Sequence, residues 1–543
     1  MQMRITLSLI CIGSFVWLAG VADAARRSES TSAEASFFLT SDNCIACHSN
    51  LRTVGGRDVS IGYAWRSSMM ANSARDPYWH AGVRREVMDH PQAQAAIEDK
   101  CSTCHMPMAR FTAAHNGGQG QVFANLGDAL LDKPTHLAAD GVSCTVCHQI
   151  ESDNFGQAES FDGGFSIDAS TPLGQRTIYG PHSIDPGRQR IMQSSSEFKP
   201  DEASHLRDSE ICATCHTLLT DAFNEAGEVV GHLAEQVPYQ EWRHSSYRTT
   251  NSCQSCHMPR LAEEMPITSV LGQPRPQFSQ HVFRGGNAFI LGILNKHRDD
   301  LGVRAMPQEL DASIVRTKEF LANDTATLTI ESTDVTRGTL VIDLAVRSKT
   351  GHKFPTAYPS RRAWLHVTVT DNAGRMVFES GAWRDDGSIV GNDNDGDALR
   401  FEPHYETIER ADQVQIYEPI LVDSNDRVTT GLLYGVRYIK DNRLLPVGFD
   451  KTTADHEVGV FGAAERDANF VGGGDELTYR VSLEGAARPL HVDAELLYQS
   501  IGYRWAENLK RYEAPEPQRF VSYYAGSAKE SAMRIATASA TVE

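Results

Sequence analysis

Ten of the eleven cysteines fall into five copies of one short pattern, two cysteines three positions apart followed at once by a histidine. Paired thiols with an adjacent imidazole can hold zinc, exchange a disulfide or attach a haem. The five copies are C-I-A-C-H (Cys44, Cys47, His48), C-S-T-C-H (Cys101, Cys104, His105), C-T-V-C-H (Cys144, Cys147, His148), C-A-T-C-H (Cys212, Cys215, His216) and C-Q-S-C-H (Cys253, Cys256, His257).

The repetition of this pattern separates the three chemistries. Zinc ribbons pair cysteines but need no histidine after every second one, and a thioredoxin-type motif occurs once, in a βαβ pattern that is absent here. A disulfide framework does not place all its cysteines at one spacing. Two thiols three apart can add to the two vinyl groups of one haem, and the next histidine then binds the iron. The sequence therefore predicts five covalently bound haems c, with the motif histidines as proximal ligands.

Each iron also needs a sixth ligand. Two imidazoles, one on each face, give a six-coordinate iron suited to electron transfer. Ten of the histidines outside the motifs lie between residues 80 and 297. Bis-histidine ligation of five haems needs five of them, so this region holds twice the required number. Methionine is the competing ligand type and raises the potential of a haem. The candidate distal ligands are His115, His136, His182, His205 and His281, with Met70 and His352 as alternatives.

The N-terminus has the pattern of a secretory signal. A short basic start precedes an apolar run that contains Cys11, and Ala22-Asp23-Ala24 forms an A-x-A cleavage site. We expect cleavage after Ala24 and a periplasmic or extracellular protein that is not integral to a membrane; an uncleaved anchor is the alternative, although the run is short for a spanning helix. A location outside the cytoplasm agrees with covalent haem attachment.

The organisation of the chain changes near residue 305. Residues 25–305 hold all the motifs, and we expect a mostly α, loop-rich haem region with a helix over residues 79–99. Apolar residues then alternate with a period of two, which predicts an antiparallel β-sandwich over residues 306–490. Residues 491–543 are predicted to form a short helix near residues 500–512 and a frayed tail rich in Ala, Ser and Thr.

A hexapeptide in the β region suggests a further ion. N-D-N-D-G-D, residues 392–397, offers the hard oxygen ligands that Ca²⁺ prefers, and a calcium site is a secondary prediction. Its glycine does not stand where an EF-hand loop requires one, and no glutamate stands at the twelfth position.

Longer motifs around the haem sites resemble the multihaem cytochrome superfamily of the tetrahaem cytochrome c of ammonia oxidisers and hydroxylamine oxidoreductase. The resemblance covers about half of the chain and rests on W-x-x-S after the first motif (Trp65, Ser68), D-G-V-S-C-T-V-C-H, and E-W-R-H-S before C-Q-S-C-H-M-P. In relatives W-x-x-S-x-H supplies a distal histidine. Met70 and Tyr247 occupy the matching positions here, so the resemblance implies that at least one haem departs from bis-histidine ligation.

These observations leave three functions open. The first is electron transfer through five haems to redox protein partners, and the second is an oxidoreductase with one open iron acting on a small nitrogen or sulfur compound. The third is a self-assembling extracellular filament. The net charge of −19 argues against nucleic acid, which needs a basic surface. No C-x-x-C-K motif, the mark of the pentahaem nitrite reductases, is present, and we predict a carrier before an enzyme.

Overall fold

The computed structural model describes residues 37–126 and 136–543. The predicted signal segment, residues 1–24, lies outside these ranges. Within them, no helix is both long enough and apolar enough to span a membrane.

The haem-motif region is built mainly from short helices joined by loops. Each motif coincides with a helix or overlaps one, and a helical turn places residues three apart on one face, so both thiols of a motif point the same way. The helices of this region are Asp42–Ile45, Ile61–Arg66, Pro77–Asp89, Gln94–His105, Pro107–His115, Cys144–Cys147, Pro186–Ser196, Glu210–Ala213, Pro238–Arg243, Cys253–His257 and Ala288–Lys296.

One predicted helix is two helices. Asp76 caps the first, Pro77–Asp89, by accepting hydrogen bonds from the backbone of its first turn, and Pro77 takes the first helical position. The expected single helix over residues 79–99 is wrong because Pro91 interrupts it. The residue before a proline is disfavoured in helical geometry, and His90 has left the helix with a φ of −130°. The second helix, Gln94–His105, then carries the second motif.

Three small two-stranded sheets lie between the later motifs. Thr177–Gly180 pairs in parallel with Lys199–Glu202, while the other two pairs are antiparallel. The antiparallel pairs are Leu218–Phe223 with Val229–Gln236 and Met265–Pro266 with Pro274–Arg275.

The remainder of the chain contains two larger sheets that follow the helix Pro307–Asp324. The first has the order Met376–Ser380, Arg362–Thr370, Leu490–Gln499, Ala532–Val542, with Ile416–Tyr417 also paired to Arg362–Thr370. The second has the order Thr407–Ile408, Gly474–Ser482, Thr339–Ser348, Ala326–Thr336. A small three-stranded sheet joins Val428–Thr429, Pro419–Val422 and Arg437–Asp441.

Alternation of side chains along these strands gives the two larger sheets a shared core. Leu344 and Val346 of one sheet and Val367 and Val369 of the other belong to one cluster of buried side chains. Each of these side chains is at most 1% exposed, as expected where every second residue of a strand faces an opposing sheet.

The C-terminal segment differs from its prediction. The tail is not frayed: Ala532–Val542 forms a full antiparallel partner of Leu490–Gln499, with Met533 and Ile535 buried. Only Tyr503–Glu507 of the predicted helix near residues 500–512 is α-helical, followed by a 3₁₀ turn, and a second helix spans Pro515–Ala525. The tail has low hydrophobicity, so its sequence did not predict a strand. The strand is stabilised by pairing with Leu490–Gln499.

The haem-motif region and the C-terminal segment also share apolar packing. Phe289 and Leu294, from the helix Ala288–Lys296, belong to one buried cluster with Phe520 and Tyr524 of the last helix. The predicted boundary at residue 305 therefore falls within a common core.

Candidate functional site

All five motifs line a single connected cavity. The ten motif thiols and five motif imidazoles all face it, and its volume is about 2000 Å³. The ten thiols are free, with no disulfide among the described residues. A large, continuous, mostly apolar space bordered by every motif fits a set of porphyrins better than five separate tetrahedral zinc sites.

The motif thiols also show which motifs are neighbours. Three pairs of thiols from different motifs lie so close that each thiol is the largest influence on its partner's pKa. The pairs are Cys44 with Cys144, Cys104 with Cys215 and Cys212 with Cys253. The first motif therefore lies beside the third, and the fourth lies beside both the second and the fifth.

Four of the five motif histidines are held in a tautomer that leaves Nε2 free to bind a metal. A backbone carbonyl can only accept, so a ring nitrogen bonded to one must carry the proton and leaves the other nitrogen free for a metal. Four motif histidines bond a carbonyl through Nδ1: His48 to Ile267 at 2.6 Å, His105 to Ser73 at 2.9 Å, His148 to Tyr179 at 2.7 Å and His257 to Arg284 at 2.6 Å. Within the described chain His216 has no such bond. Four Nε2 atoms are therefore available as iron ligands.

Burial favours the same neutral form. It is the main cause that lowers the pKa of each motif histidine, to about 4 for His105 and His257. Because a protonated imidazole cannot bind a metal, a lowered pKa keeps these side chains ready as ligands at neutral pH.

Two motif histidines face a second imidazole across a gap of the right size for a metal ion. The ring centroids of His148 and His281 are 6.2 Å apart with planes at 17°, and those of His257 and His352 are 6.1 Å apart with planes at 16°. Two metal–imidazole bonds of about 2 Å, extended by the ring radii, give about 6 Å. The residues present thus fit two bis-histidine haems.

The facing histidines have the same tautomer as their partners. Nδ1 of His281 bonds the carbonyl of Ser279 at 3.2 Å, and Nδ1 of His352 bonds that of Lys353 at 2.8 Å. Their Nε2 atoms are left without a proton. Burial lowers the pKa of both side chains, that of His281 to about 3.

The other predicted distal ligands are placed differently. His182 lines the cavity, whereas His115, His136 and His205 do not. His115 is exposed and contacts the ring of Phe37. His205 bonds the carbonyl of Ile150 through Nε2 at 2.8 Å. Their roles stay predictions.

The two positions at which the resemblance places a histidine, Met70 and Tyr247, both lie on the cavity wall. Met70 lines the cavity close to the third motif, since its carbonyl accepts the backbone N–H of Val142. Tyr247 also lines it, and its hydroxyl donates to the carbonyl of Lys349 at 3.1 Å.

Sequence reasoning missed two cavity residues. The ring of Trp79 stacks on His105 with centroids 4.3 Å apart and planes at 1°. His232 lines the cavity on the Leu218–Gln236 hairpin and pairs with Asp221 at 2.8 Å. No local pattern marks either residue, because the contact of Trp79 is with a histidine of another helix and that of His232 depends on the register of its hairpin.

The predicted calcium site receives no support from its surroundings. Arg362 binds both carboxylate oxygens of Asp395, at 2.8 and 3.0 Å, and the backbone N–H of Ile389 donates to one of them. Arg400 pairs with Asp393. Arginines therefore occupy the oxygens that a cation would need.

A buried His–Asp–Asp group in the β region resembles a metal centre, but its hydrogen bonds exclude that role. His404, Asp467 and Asp475 bring ligand atoms within 4.8 Å of one another. Amide groups of Gln415 and Asn442 both donate to Nδ1 of His404, at 2.9 and 3.1 Å. Nδ1 therefore carries no proton, and Nε2–H donates to Asp467 at 2.9 Å instead of binding a metal.

The orientation of those two amides is itself fixed. The oxygen of Gln415 accepts from the backbone of Tyr405, and the oxygen of Asn442 accepts from that of Glu418. Neither amide can turn to accept a proton from His404, so the group is a structural hydrogen-bond network.

Comparison with known proteins adds one likeness. No protein-family model matches the chain, and no curated protein matches it. The fold is similar to the crystal structure of a penta-heme cytochrome c552 from Thermochromatium tepidum, with a TM-score of 0.53 and 16% sequence identity. The match covers 94% of this chain and 100% of that chain. The chain shares the fold of a penta-heme cytochrome, while the resemblance to the hydroxylamine oxidoreductase group rests on the short motifs alone.

Proposed function

We propose that this chain is an exported pentahaem c-type cytochrome that passes single electrons between redox protein partners, in a respiratory or extracellular chain. The observation that carries the proposal is that all ten motif thiols and all five motif imidazoles line one cavity. The penta-heme protein of similar fold supports the count of five. The A-x-A signal supports a periplasmic or extracellular location.

The residues of the chain have separate tasks in this function. Haem, when bound, supplies the one-electron chemistry. The thiols fix each site covalently, and the carbonyls of Ile267, Ser73, Tyr179 and Arg284 hold the proximal imidazoles in one tautomer. His281 and His352 offer second ligands that need not move between redox states, which keeps reorganisation small. Apolar wall residues keep water away and so influence the potentials.

Adjacent motifs provide the route for electrons. The contacts between thiols connect the first motif to the third and the fourth to the second and fifth. The third and fourth motifs are also close, since Cys147 raises the pKa of Cys212 and Cys215 raises that of Cys147. An electron that enters at any motif therefore has a neighbouring site to move to.

A second candidate function, a small-molecule oxidoreductase, has its own supporting observation. His216, like His48 and His105, faces no second imidazole among the described residues. It differs from those two in lying near a cation, since after burial the charge of Arg361 is the largest influence that lowers the pKa of His216. Arg361 lines the cavity and bonds the carbonyl of Thr356, with no carboxylate at ion-pair distance in the described chain. A haem beside it could accept a small nitrogen or sulfur anion.

An anaerobic reductive titration of the purified holoprotein tests the carrier function. We expect uptake of five electrons per chain and full reoxidation by an added c-type cytochrome. A variant that lacks one motif, Cys101→Ala with Cys104→Ala, should take up four. Uptake of fewer than five electrons by the unaltered protein would contradict the proposal.

A further inference from the structure

The haem cavity opens to solvent at the first motif. The hydroxyl of Thr268 and both the backbone N–H and the hydroxyl of Ser269 donate to the carbonyl of Cys47, at 2.9 to 3.1 Å, so this loop lies directly on the motif. The next two residues, Val270 and Leu271, line the cavity yet are 46% and 63% exposed. A side chain that both lines a cavity and meets solvent marks its mouth.

Apolar side chains are unusually exposed at this mouth. Ile191, which is 41% exposed and also lines the cavity, stands with Val270 and Leu271. The loop is held in place, because Arg188 donates to the carbonyl of Leu271 at 2.8 Å. Leu271 also adopts a φ of +49°, which is rare for a leucine. An ordered loop that presents leucine to solvent is typical of a contact surface.

Arginines surround the same mouth. Arg207 and Arg275 line the cavity and bond the carbonyls of Pro181 and Ser183 through their guanidinium groups. Within the described chain, neither has a carboxylate at ion-pair distance. Both lie close to His182, since after burial their charges are the largest influences on its pKa, with Glu202 acting in the opposite direction.

The positive charges of Arg207 and Arg275 contrast with the net negative charge of the chain. The chain carries a net charge of −19, and Arg188 at the same rim is neutralised by Asp185 at 2.5 Å. Uncompensated arginines around exposed apolar residues match an interface core with a charged rim. Although Asp201 also lines the cavity and Glu202 lies near His182, two arginines without ion-pair partners favour the approach of negative groups to this entrance.

We propose that the mouth formed by Ile191, Arg207, Val270, Leu271 and Arg275 is the docking surface for an acidic redox protein, which exchanges electrons with the first motif's haem. The inference rests on the proposed carrier function and adds the place and charge of one partner. Apolar contact brings the two redox centres together, and the arginines orient the encounter. No covalent step is involved; one electron leaves the donor and one is gained by the haem.

Stopped-flow kinetics with an acidic [2Fe–2S] ferredoxin as the electron donor test this surface. We expect the second-order rate constant for reduction of the oxidised holoprotein to fall as salt rises, because attraction at the mouth is screened. Net repulsion between two acidic proteins would give the opposite slope. A rate that rises with salt would therefore overturn the proposal.

Charge-reversal variants test whether the salt dependence of the rate comes from Arg207 and Arg275. Arg207→Glu with Arg275→Glu should slow the reaction about tenfold at low salt. The control, Arg480→Glu with Arg337→Glu, makes the same change of net charge at exposed positions of the β region. Equal slowing in the two double variants would overturn the assignment.

A third variant tests the apolar part of the docking surface with a substitution that should not misfold the loop. Leu271→Asn keeps a residue that tolerates positive φ, so the loop should retain its shape. We expect a severalfold slower reaction with an unchanged salt slope. An unchanged rate would remove the loop from the docking surface. Dithionite reduces the haems of each variant without a protein partner. This measurement therefore distinguishes a failure of the carrier function from a failure of docking.

Discussion

His352 faces His257 with 6.1 Å between their ring centroids, although His257 closes the fifth motif and His352 precedes the sheet strand Arg362–Thr370. The loop that carries His352 is fixed by buried ions. Lys353 pairs with Asp441 at 2.7 Å, and its backbone N–H donates to Glu241, which Arg443 also binds. The β region therefore contributes to the wall of the motif cavity as well as to its own core.

Removal of a facing histidine should change the spin state of one haem. For His352→Ala and for His281→Ala we expect one low-spin ferric haem to become high-spin, because each substitution removes a sixth ligand. EPR and optical spectra of the oxidised protein give the count. His205→Ala is the control, since His205 does not line the cavity and its Nε2 already bonds the carbonyl of Ile150. A variant that keeps all its haems low-spin would contradict the pairing.

The β region should fold without haem, but its helices need the preceding segment. A fragment from residue 288 to the end, made in the cytoplasm, keeps the helix Ala288–Lys296 that packs on Pro515–Ala525. We expect cooperative thermal unfolding by circular dichroism, at a higher temperature than for a fragment from residue 307. Absence of sheet signal in both fragments would show that the sheets depend on the haem region.

Asp475 should make the protein less stable as the pH rises. Burial is the main cause that raises its pKa to about 7. Between its ordinary pKa and that value, the folded chain holds a proton that the unfolded chain has released, so the free energy of unfolding falls with rising pH. The stabilisation is complete below about pH 4 and lost above about pH 7.

Denaturant unfolding of Asp475→Asn checks this pH dependence. The variant should lose the slope and be more stable than the parent at pH 8, on the order of 2 kcal/mol. Asp493→Asn, at an exposed position of the strand Leu490–Gln499, is the control. A slope that persists in Asp475→Asn would assign the titration to another group.

The C-terminal strand Ala532–Val542 should contribute substantially to the free energy of unfolding. Ile535→Ala removes a side chain that is 3% exposed and should cost about 2–4 kcal/mol. Thr537→Ala, on the exposed face of the same strand, should cost far less. A frayed tail would make the two variants equal, which a comparison of their melting temperatures would reveal.

The sequence carries more information about the chemistry of the site than about its geometry. Five identical spacings predict the proximal ligands, because the C-x-x-C-H pattern is local and one helical turn sets it. Among the distal candidates, His281 and His352 face motif histidines and His115 does not. Their spacing along the chain holds no information about which loops meet across the cavity.

The fold shows the same division between local and distant signals. Pro91 was a readable local signal for the break between two helices. The strand Ala532–Val542 was not, since small polar residues alternate with only Met533 and Ile535 as large apolar side chains near its start. Its burial depends on pairing with Leu490–Gln499, a contact that no local window contains.

The mass of the intact, exported protein tests the central claim most directly. We expect the denatured chain to begin at residue 25 and to carry the added mass of five haems, because each motif has both thiols and a histidine. Alanine at Cys253 and Cys256 should lower the mass by one haem and leave the other four. A chain that carries no haem, or that holds zinc lost on denaturation, would contradict the account.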